Sequence, residues 1–260
     1  MRVALCVHGT VRRIYTDKKN SMWTHDVDYR IGLEHYRKHL LAVNDIDVFI
    51  HCWDEQYQDG IIADYEPKSS IFEEQIIFDS ENVRTNREKS RWYSQKQVVS
   101  LKKKYEEKNN FEYDYVMVAR FDQAFMKDLK FSDYDNKMFW TPKSESTVAE
   151  CMLKPHFLDY WFFSNSKNMD LFATLYDQWD MLQDWKKKNK TWPDFLAGPN
   201  AHVDSYVHAN LLGLDIGYTF DEYTDHDLVR GIYKDCEHAG PNYKGIEKLH
   251  KFKEYPTERF

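Results

Sequence analysis

Residues Asp114 to Phe125 read DYVMVARFDQAF, and this stretch decides the fold. Tyr115 to Ala119 is a short apolar run, the length of a strand buried on both faces of a sheet. It runs straight into Arg120-Phe121-Asp122. The run explains itself as core, but its charged end does not. In an extended chain, residues two apart point to the same side, so Arg120 and Asp122 share a face. In open α/β sheets ligands bind beyond the carboxyl ends of the strands, where these two residues stand. A plain Arg–Asp pair closing the strand end is the competing reading of the same residues.

Outward from this strand, similar runs recur. Arg2 to Val7 (RVALCV) and Asp47 to Cys52 (DVFIHC) are predicted as buried strands, and Glu74 to Phe78 as a short third one. Lys137 to Trp140, Tyr160 to Ser164 and Asp215 to Thr219 complete the strand set. Helical spacing of apolar residues predicts helices over Tyr29 to Val43, Ser94 to Lys108, Lys167 to Lys188 with Ser166 as its cap, and Ala201 to Leu212. Ile61 to Ser70 reads as irregular, and Glu81 to Arg91, which carries Arg84, Arg87, Lys89 and Arg91, as an exposed loop or helix start. Trp192 to Asn200 reads as a loop, and Phe220 to Phe260 as extended or looped chain wrapping the core or covering a site. Strands and helices alternate through the first half, which predicts an α/β fold with a mainly parallel central sheet flanked by helices and a loop-rich C-terminal part.

The 260 residues are 42% hydrophobic and 16% aromatic, enough for one domain with a sizeable core. We divide it into two halves, 1–126 and 127–260, the second ending in a C-terminal wrap. The net charge of -7 argues against a protein that coats DNA by neutralising phosphates. No apolar run is long enough for a membrane span, and MRVALCVHG makes a poor signal peptide but a good first strand. Cys6, Cys52, Cys151 and Cys236 lack CxxC spacing and read as free thiols. Together these features predict a soluble protein of a bacterial or other producing cell's cytoplasm.

The loop after the first strand, His8-Gly9-Thr10-Val11-Arg12-Arg13, places a glycine where backbone can approach a ligand, beside two arginines. Neither GxGxxG nor GxxxxGK[ST] occurs. Asp122 at a strand end can bind a divalent cation, for which oxygen ligands favour magnesium or manganese, and Arg120 can hold a phosphate in its fork. His226 or His238 can complete a metal site or touch a diphosphate. His202 and Asp204 follow a Pro/Gly loop, and either can act as a general base, while Asp204 can equally well cap its helix. Asp159 can face donor or acceptor. Of the abundant tryptophans, one or two can line an acceptor groove.

In order, these motifs resemble a group of glycosyltransferases from bacterial, phage and large-virus genomes. The family pattern ALxxxGxxR matches Ala4-Leu5 through Gly9 and Arg12, and DVFIHxWD matches Asp47 to Asp54. Tyr93-Ser94-Gln95-Lys96 stands for YSxxK with the lysine one residue early. YDxVxxxRxD matches Tyr113 to Asp122, and FFSxSxxM matches Phe162 to Met169. The resemblance runs from Arg2 to Tyr176. It implies a GT-A-like fold, a nucleotide-diphosphate sugar donor, and Mn2+ or Mg2+ as cofactor. Where such enzymes carry Asp-x-Asp, Arg120 replaces the first aspartate, and Asp122 matches the second, metal-binding position. The resemblance further implies donor contacts from His8, Gly9, Thr10, Arg12, Arg120 and Asp122, metal ligation by Asp122 with His226, and an acceptor-activating base near Asp204. The acceptor expected is a glycan hydroxyl, or a hydroxymethylated base of phage DNA tracked by the Arg84-to-Arg91 cluster. A non-catalytic sugar- or nucleotide-binding module on the same fold, and a nucleotidyltransferase, are the alternatives.

Overall fold

The computed structural model describes residues 1–16, 22–26, 29–143, 156–189, 198–222 and 224–229. In chain order the elements are β1 (Val3–Gly9), β2 (Arg12–Thr16), β3 (Met22–Asp26), α1 (Tyr29–Tyr36), β4 (Ile46–Cys52), α2 (Gln58–Tyr65), β5 (Ser69–Phe72), α3 (Val83–Asn109) and β6 (Tyr115–Arg120). They continue with β7 (Gln123–Phe125), β8 (Phe139–Lys143), β9 (Trp161–Ser164), α4 (Ser166–Phe172), α5 (Leu175–Asn189), α6 (Ala201–Leu211), β10 (Ile216–Asp221) and β11 (His226–Leu228).

Seven strands form one sheet in the order β10-β8-β9-β6-β1-β4-β5. β5, β4, β1 and β6 are parallel. β9 runs antiparallel to both β6 and β8, and β10 is parallel to β8. This is the expected α/β class with a mainly parallel sheet. From β1 the strand order runs to β4 and β5 on one side and to β6 on the other. The seam between β1 and β6 is therefore a switch point, the place in open α/β sheets where ligands bind beyond the strands' carboxyl ends.

Both faces of the central strands are buried, as their near-continuous apolar runs require. On one face Val3, Leu5, Val7, Ile50, Met117 and Ala119 pack with Leu33 and Tyr36 of α1. On the other, Ala4, Cys6, Phe49, Val116 and Val118 pack with Val98, Val99 and Leu101 of α3. Helix α1 also reaches the turn after β6. A Cβ on Gly32 would lie 2.2 Å from the Phe121 carbonyl oxygen, so glycine permits this approach. Tyr36 donates its hydroxyl to the Arg120 carbonyl at 2.6 Å, fixing the end of β6.

Several expected elements are moved. Glu74 to Phe78 is not a strand; the edge strand is Ser69–Phe72, and Ile77 is 72% exposed. Ile61 begins no irregular segment, because Ile61 and Tyr65, four apart, anchor α2 in the core. Residues 83–91 are the opening turns of α3, capped by Asn82, whose side chain accepts from the Thr85 amide. The helix expected over Lys167 to Lys188 is two helices. Thr174 breaks it by bonding back to the Leu171 carbonyl through both amide and hydroxyl. Its cap is Asn165 rather than Ser166; Ser166 instead accepts from the buried Lys102 ammonium at 2.6 Å. Asn200, not Asp204, caps α6. Cys6 and Cys52 are both buried, and Cys6 is a free thiol as expected. Cys151, Cys236, His238 and most of the Trp192 to Asn200 loop lie outside the described residues.

Candidate active site at the carboxyl edge of the sheet

Along the α3 face, three neighbouring strands change character at the same level. Ala4 and Cys6 give way to His8 on β1, Phe49 to His51 on β4, and Val118 to Arg120 on β6. His8 is the register partner of both His51 and Arg120, so the three form one row across the sheet. An apolar layer thus ends in a polar rim at the switch point.

Arg120 turns onto its own strand end. Its Nε and Nη2 each donate to Asp122 at 2.8 Å, a fork on both carboxylate oxygens. The Asp122 side chain is only 5% exposed. From α3, Arg91 places Nη1 3.2 Å from Asp159 Oδ2 and donates through Nη2 to the Asp159 carbonyl. Asp159 Oδ1 in turn lies 3.1 Å from Nδ1 of His202 on α6.

The charges of this cluster set one another. Burial alone would raise the Asp159 carboxyl, but Arg91, His202 and Arg120 hold it well below the usual range. Burial opposes the charge on Arg120, but Asp122 and Asp159 outweigh it and raise its pKa. His8 is pushed well below its ordinary value by burial, then by Arg91, Arg120 and His51, and stays neutral. Glu88, one turn before Arg91 on α3, is pushed up to about 7 by burial and by the fields of Asp159 and Asp204. Three buried polar atoms here have no partner among the described residues: Arg91 Nε, His8 Nδ1 and Glu88 Oε2.

The loop leaving β1 is fixed from β4. Asp54 Oδ2 accepts the Thr10 hydroxyl at 2.5 Å and the Val11 amide at 2.7 Å. The Trp53 amide donates to the Gly9 carbonyl at 3.0 Å. Gly9 has φ +116°, a conformation side-chain-bearing residues rarely adopt. Beside it His51 bonds Ser94 through Nδ1 (2.7 Å) and Glu73 through Nε2 (2.9 Å). Trp53 stacks on Tyr93 with ring centroids 5.3 Å apart.

The expected site residues divide into those the edge gathers and those it does not. His8, Gly9, Thr10, Arg120 and Asp122 lie together at the seam. Arg12 begins β2 opposite Asp26, and its side chain lies outside the described residues. His226 is fully buried on β11, opposite Phe125, and its ring lies 5.6 Å from Trp161. Gln123 Nε2 lies 3.3 Å from its Nδ1, and burial pushes its pKa down to about 3. Asp204 is fully buried between α5 and α6. It receives Lys186, Gln183 Nε2 at 3.0 Å and the Asn200 amide at 3.2 Å. That is the geometry of a structural ion pair, although burial still raises the carboxyl against the pull of Lys186. Of the basic cluster, Arg91 points into the protein rather than out along a nucleic acid.

The sequence places Arg91 in an exposed basic cluster and gives no site role to Glu88 or His51. One signal was present: carrying the Val98 and Leu101 stripe back two turns lands on Arg91 and Ser94, which puts both on the inward face.

The residues that the resemblance assigns to a divalent ion, Asp122 and His226, are not presented together as free ligands: His226 is buried on β11 opposite Phe125. Both Asp122 oxygens are engaged by Arg120, and no group of three His, Cys, Asp or Glu side chains able to hold a metal occurs among the described residues. No helix among them is long and apolar enough to cross a membrane. The chain matches no protein-family model and no curated protein. Fold and site define an α/β protein with a mixed, mainly parallel seven-stranded sheet and a cluster of buried charged side chains at its switch point.

Proposed function

We propose that this protein is a glycosyltransferase that moves a sugar from a nucleotide-diphosphate donor to an acceptor hydroxyl, with the donor diphosphate at the β1–β6 seam. One observation carries the reading. Arg91 Nε and His8 Nδ1 are buried without a partner among the described residues, in a cluster that also holds Arg120. Buried polar atoms are nearly always paired, so partnerless ones at a ligand-binding edge favour a polar ligand. A guanidinium has five N–H donors, and Arg120 spends only its Nε and Nη2 sides on Asp122. Its Nη1 is left for a phosphate oxygen.

The chemistry follows from this arrangement. Cleaving the sugar–phosphate bond leaves extra negative charge on the diphosphate, and fixed guanidinium donors in a dry site stabilise it as it develops. The locked Gly9–Val11 loop gives the phosphates a backbone surface. Tyr93, half-buried and backed by the buried Trp53, offers a ring for a base or sugar. The mainly parallel sheet agrees with a GT-A-like domain, and the motif order from Arg2 to Tyr176 supports the same class.

The test is release of nucleoside diphosphate from a panel of nucleotide sugars, with water or added sugars as acceptors. Release from at least one donor is expected. No release from any donor, with or without manganese, would reject the enzyme and favour a binding module. Preference for nucleoside triphosphates would point to nucleotidyl transfer instead.

A further inference from the structure

We infer that His202, oriented by Asp159, is the base that takes the proton from the acceptor, in place of the neighbouring Asp204. The inference rests on the glycosyl-transfer reading above.

Asp204 has both oxygens occupied inside the α5–α6 interface. His202, two residues earlier, faces the other way. Its Nδ1 lies 3.1 Å from Asp159 Oδ1 and 2.9 Å from the Phe157 carbonyl. Around Nδ1 the two oxygens, at 2.9 and 3.1 Å, lie closer than the Asp159 amide at 3.3 Å, which favours the proton on Nδ1 and leaves the lone pair on Nε2. That tautomer is the one a general base needs, and a carboxylate on the far nitrogen steadies the imidazolium once it forms. No hydrogen bond reaches Nε2 among the described residues, and the side chain is 40% exposed, so an acceptor has access.

The ring is also held. Asn200 caps α6 by accepting the His202 and Val203 amides at 3.1 and 3.3 Å. The Phe157 amide donates to the His202 carbonyl at 3.0 Å. His202 and Asp159 therefore belong to one rigid corner, although 43 residues separate them. Asp159 joins that corner to the diphosphate side, because its other oxygen and its carbonyl bind Arg91. Base and leaving-group donors thus stand on two sides of one carboxylate.

In the step, Nε2 of His202 takes the acceptor O–H proton while the oxygen bonds to the anomeric carbon. The bond from that carbon to the diphosphate oxygen breaks. Its electron pair leaves on the nucleoside diphosphate beside Arg91 and Arg120, and the imidazolium then yields its proton to solvent. With water as acceptor the same step hydrolyses the donor.

The experiment uses hydrolysis of the nucleotide sugar that the wild-type chain turns over, with thermal shift by the matching nucleoside diphosphate as the binding readout. His202→Ala should lose about 10²- to 10⁴-fold in kcat, keep the nucleotide-induced shift, and regain hydrolysis with added imidazole. Asp159→Asn should lower kcat as well. A His202→Ala variant within threefold of wild type overturns the inference while the glycosyltransferase reading stands. So does a loss that imidazole cannot restore in a variant still shifted by nucleotide. A wild-type chain that neither shifts nor hydrolyses any donor rejects the reading itself, and the inference with it.

Discussion

Arg120 grips Asp122 through two parallel hydrogen bonds of 2.8 Å each, across a single intervening residue. The strand that carries them is thereby closed by its own ion pair, yet the arginine still has donors to give. The pair closes the strand end, as the structural reading of Arg120-Phe121-Asp122 has it, and it holds the guanidinium rigid at the carboxyl edge of the sheet. Arg120→Gln should weaken nucleoside diphosphate binding by about 10- to 100-fold, the worth of a charge-assisted hydrogen bond of about 1.5–3 kcal/mol. Titration calorimetry reads the change.

Asp204 and Lys186 separate folding from catalysis. Both side chains are fully buried. Lys186→Met leaves an uncompensated carboxylate and should destabilise the fold by about 3–5 kcal/mol in denaturant melts. Asp204→Asn should likewise lower the melting temperature. An Asp204→Asn variant with wild-type stability and abolished turnover would return the base to Asp204.

Glu88 gives the protein a pH signature. Its carboxyl is raised from 4.5 to about 7, first by burial and then by Asp159 and Asp204, against Arg87 and Arg91. Between those two pH values the folded protein keeps a proton that the unfolded chain releases. The Glu88 contribution to stability is therefore fully present below 4.5 and is lost as pH rises towards 7. Glu88→Gln removes this dependence and should stabilise the protein above pH 7, by up to the order of 3 kcal/mol. Thermal melts at acid and alkaline pH measure the difference.

Asp54 is expected to matter without touching the donor. Asp54→Ala leaves the buried Val11 amide and the Thr10 hydroxyl without the carboxylate that holds them. A loss of about 1–3 kcal/mol in stability is expected, with weaker nucleotide binding as the Gly9–Val11 loop loosens. Asp54→Asn, which retains one acceptor oxygen, should recover part of both.

The central strands were legible because burial on both faces leaves an unmistakable apolar run, and β1, β4 and β6 all have one. Their polar ends were legible too: His8, Arg120 and Asp122 interrupt runs that otherwise read as core. Glu74 to Phe78 misled because a short apolar segment carries no period to distinguish a strand from a coil. Ile77 in fact faces solvent. The charge of the first turns of α3 left loop and helix start equally open, and β7 and β11, of three residues each, are too short to leave a pattern. The site was only half readable for a different reason. Arg91 meets Asp159 across 68 residues and Asp159 meets His202 across 43, and local spacing does not report contacts between distant elements. The resemblance puts the acceptor-activating base near Asp204. Only the packing of α5 against α6 shows Lys186 occupying it.

The decisive measurement is thermal stabilisation by a nucleoside diphosphate in the presence of a chelator, for wild type, Arg120→Gln and Asp122→Asn. Guanidinium recognition predicts an upward shift in the wild type without added metal, its loss in Arg120→Gln, and its survival in Asp122→Asn once each variant is compared with its own unliganded melt. A shift that appears only with manganese, persists in Arg120→Gln and vanishes in Asp122→Asn would contradict it.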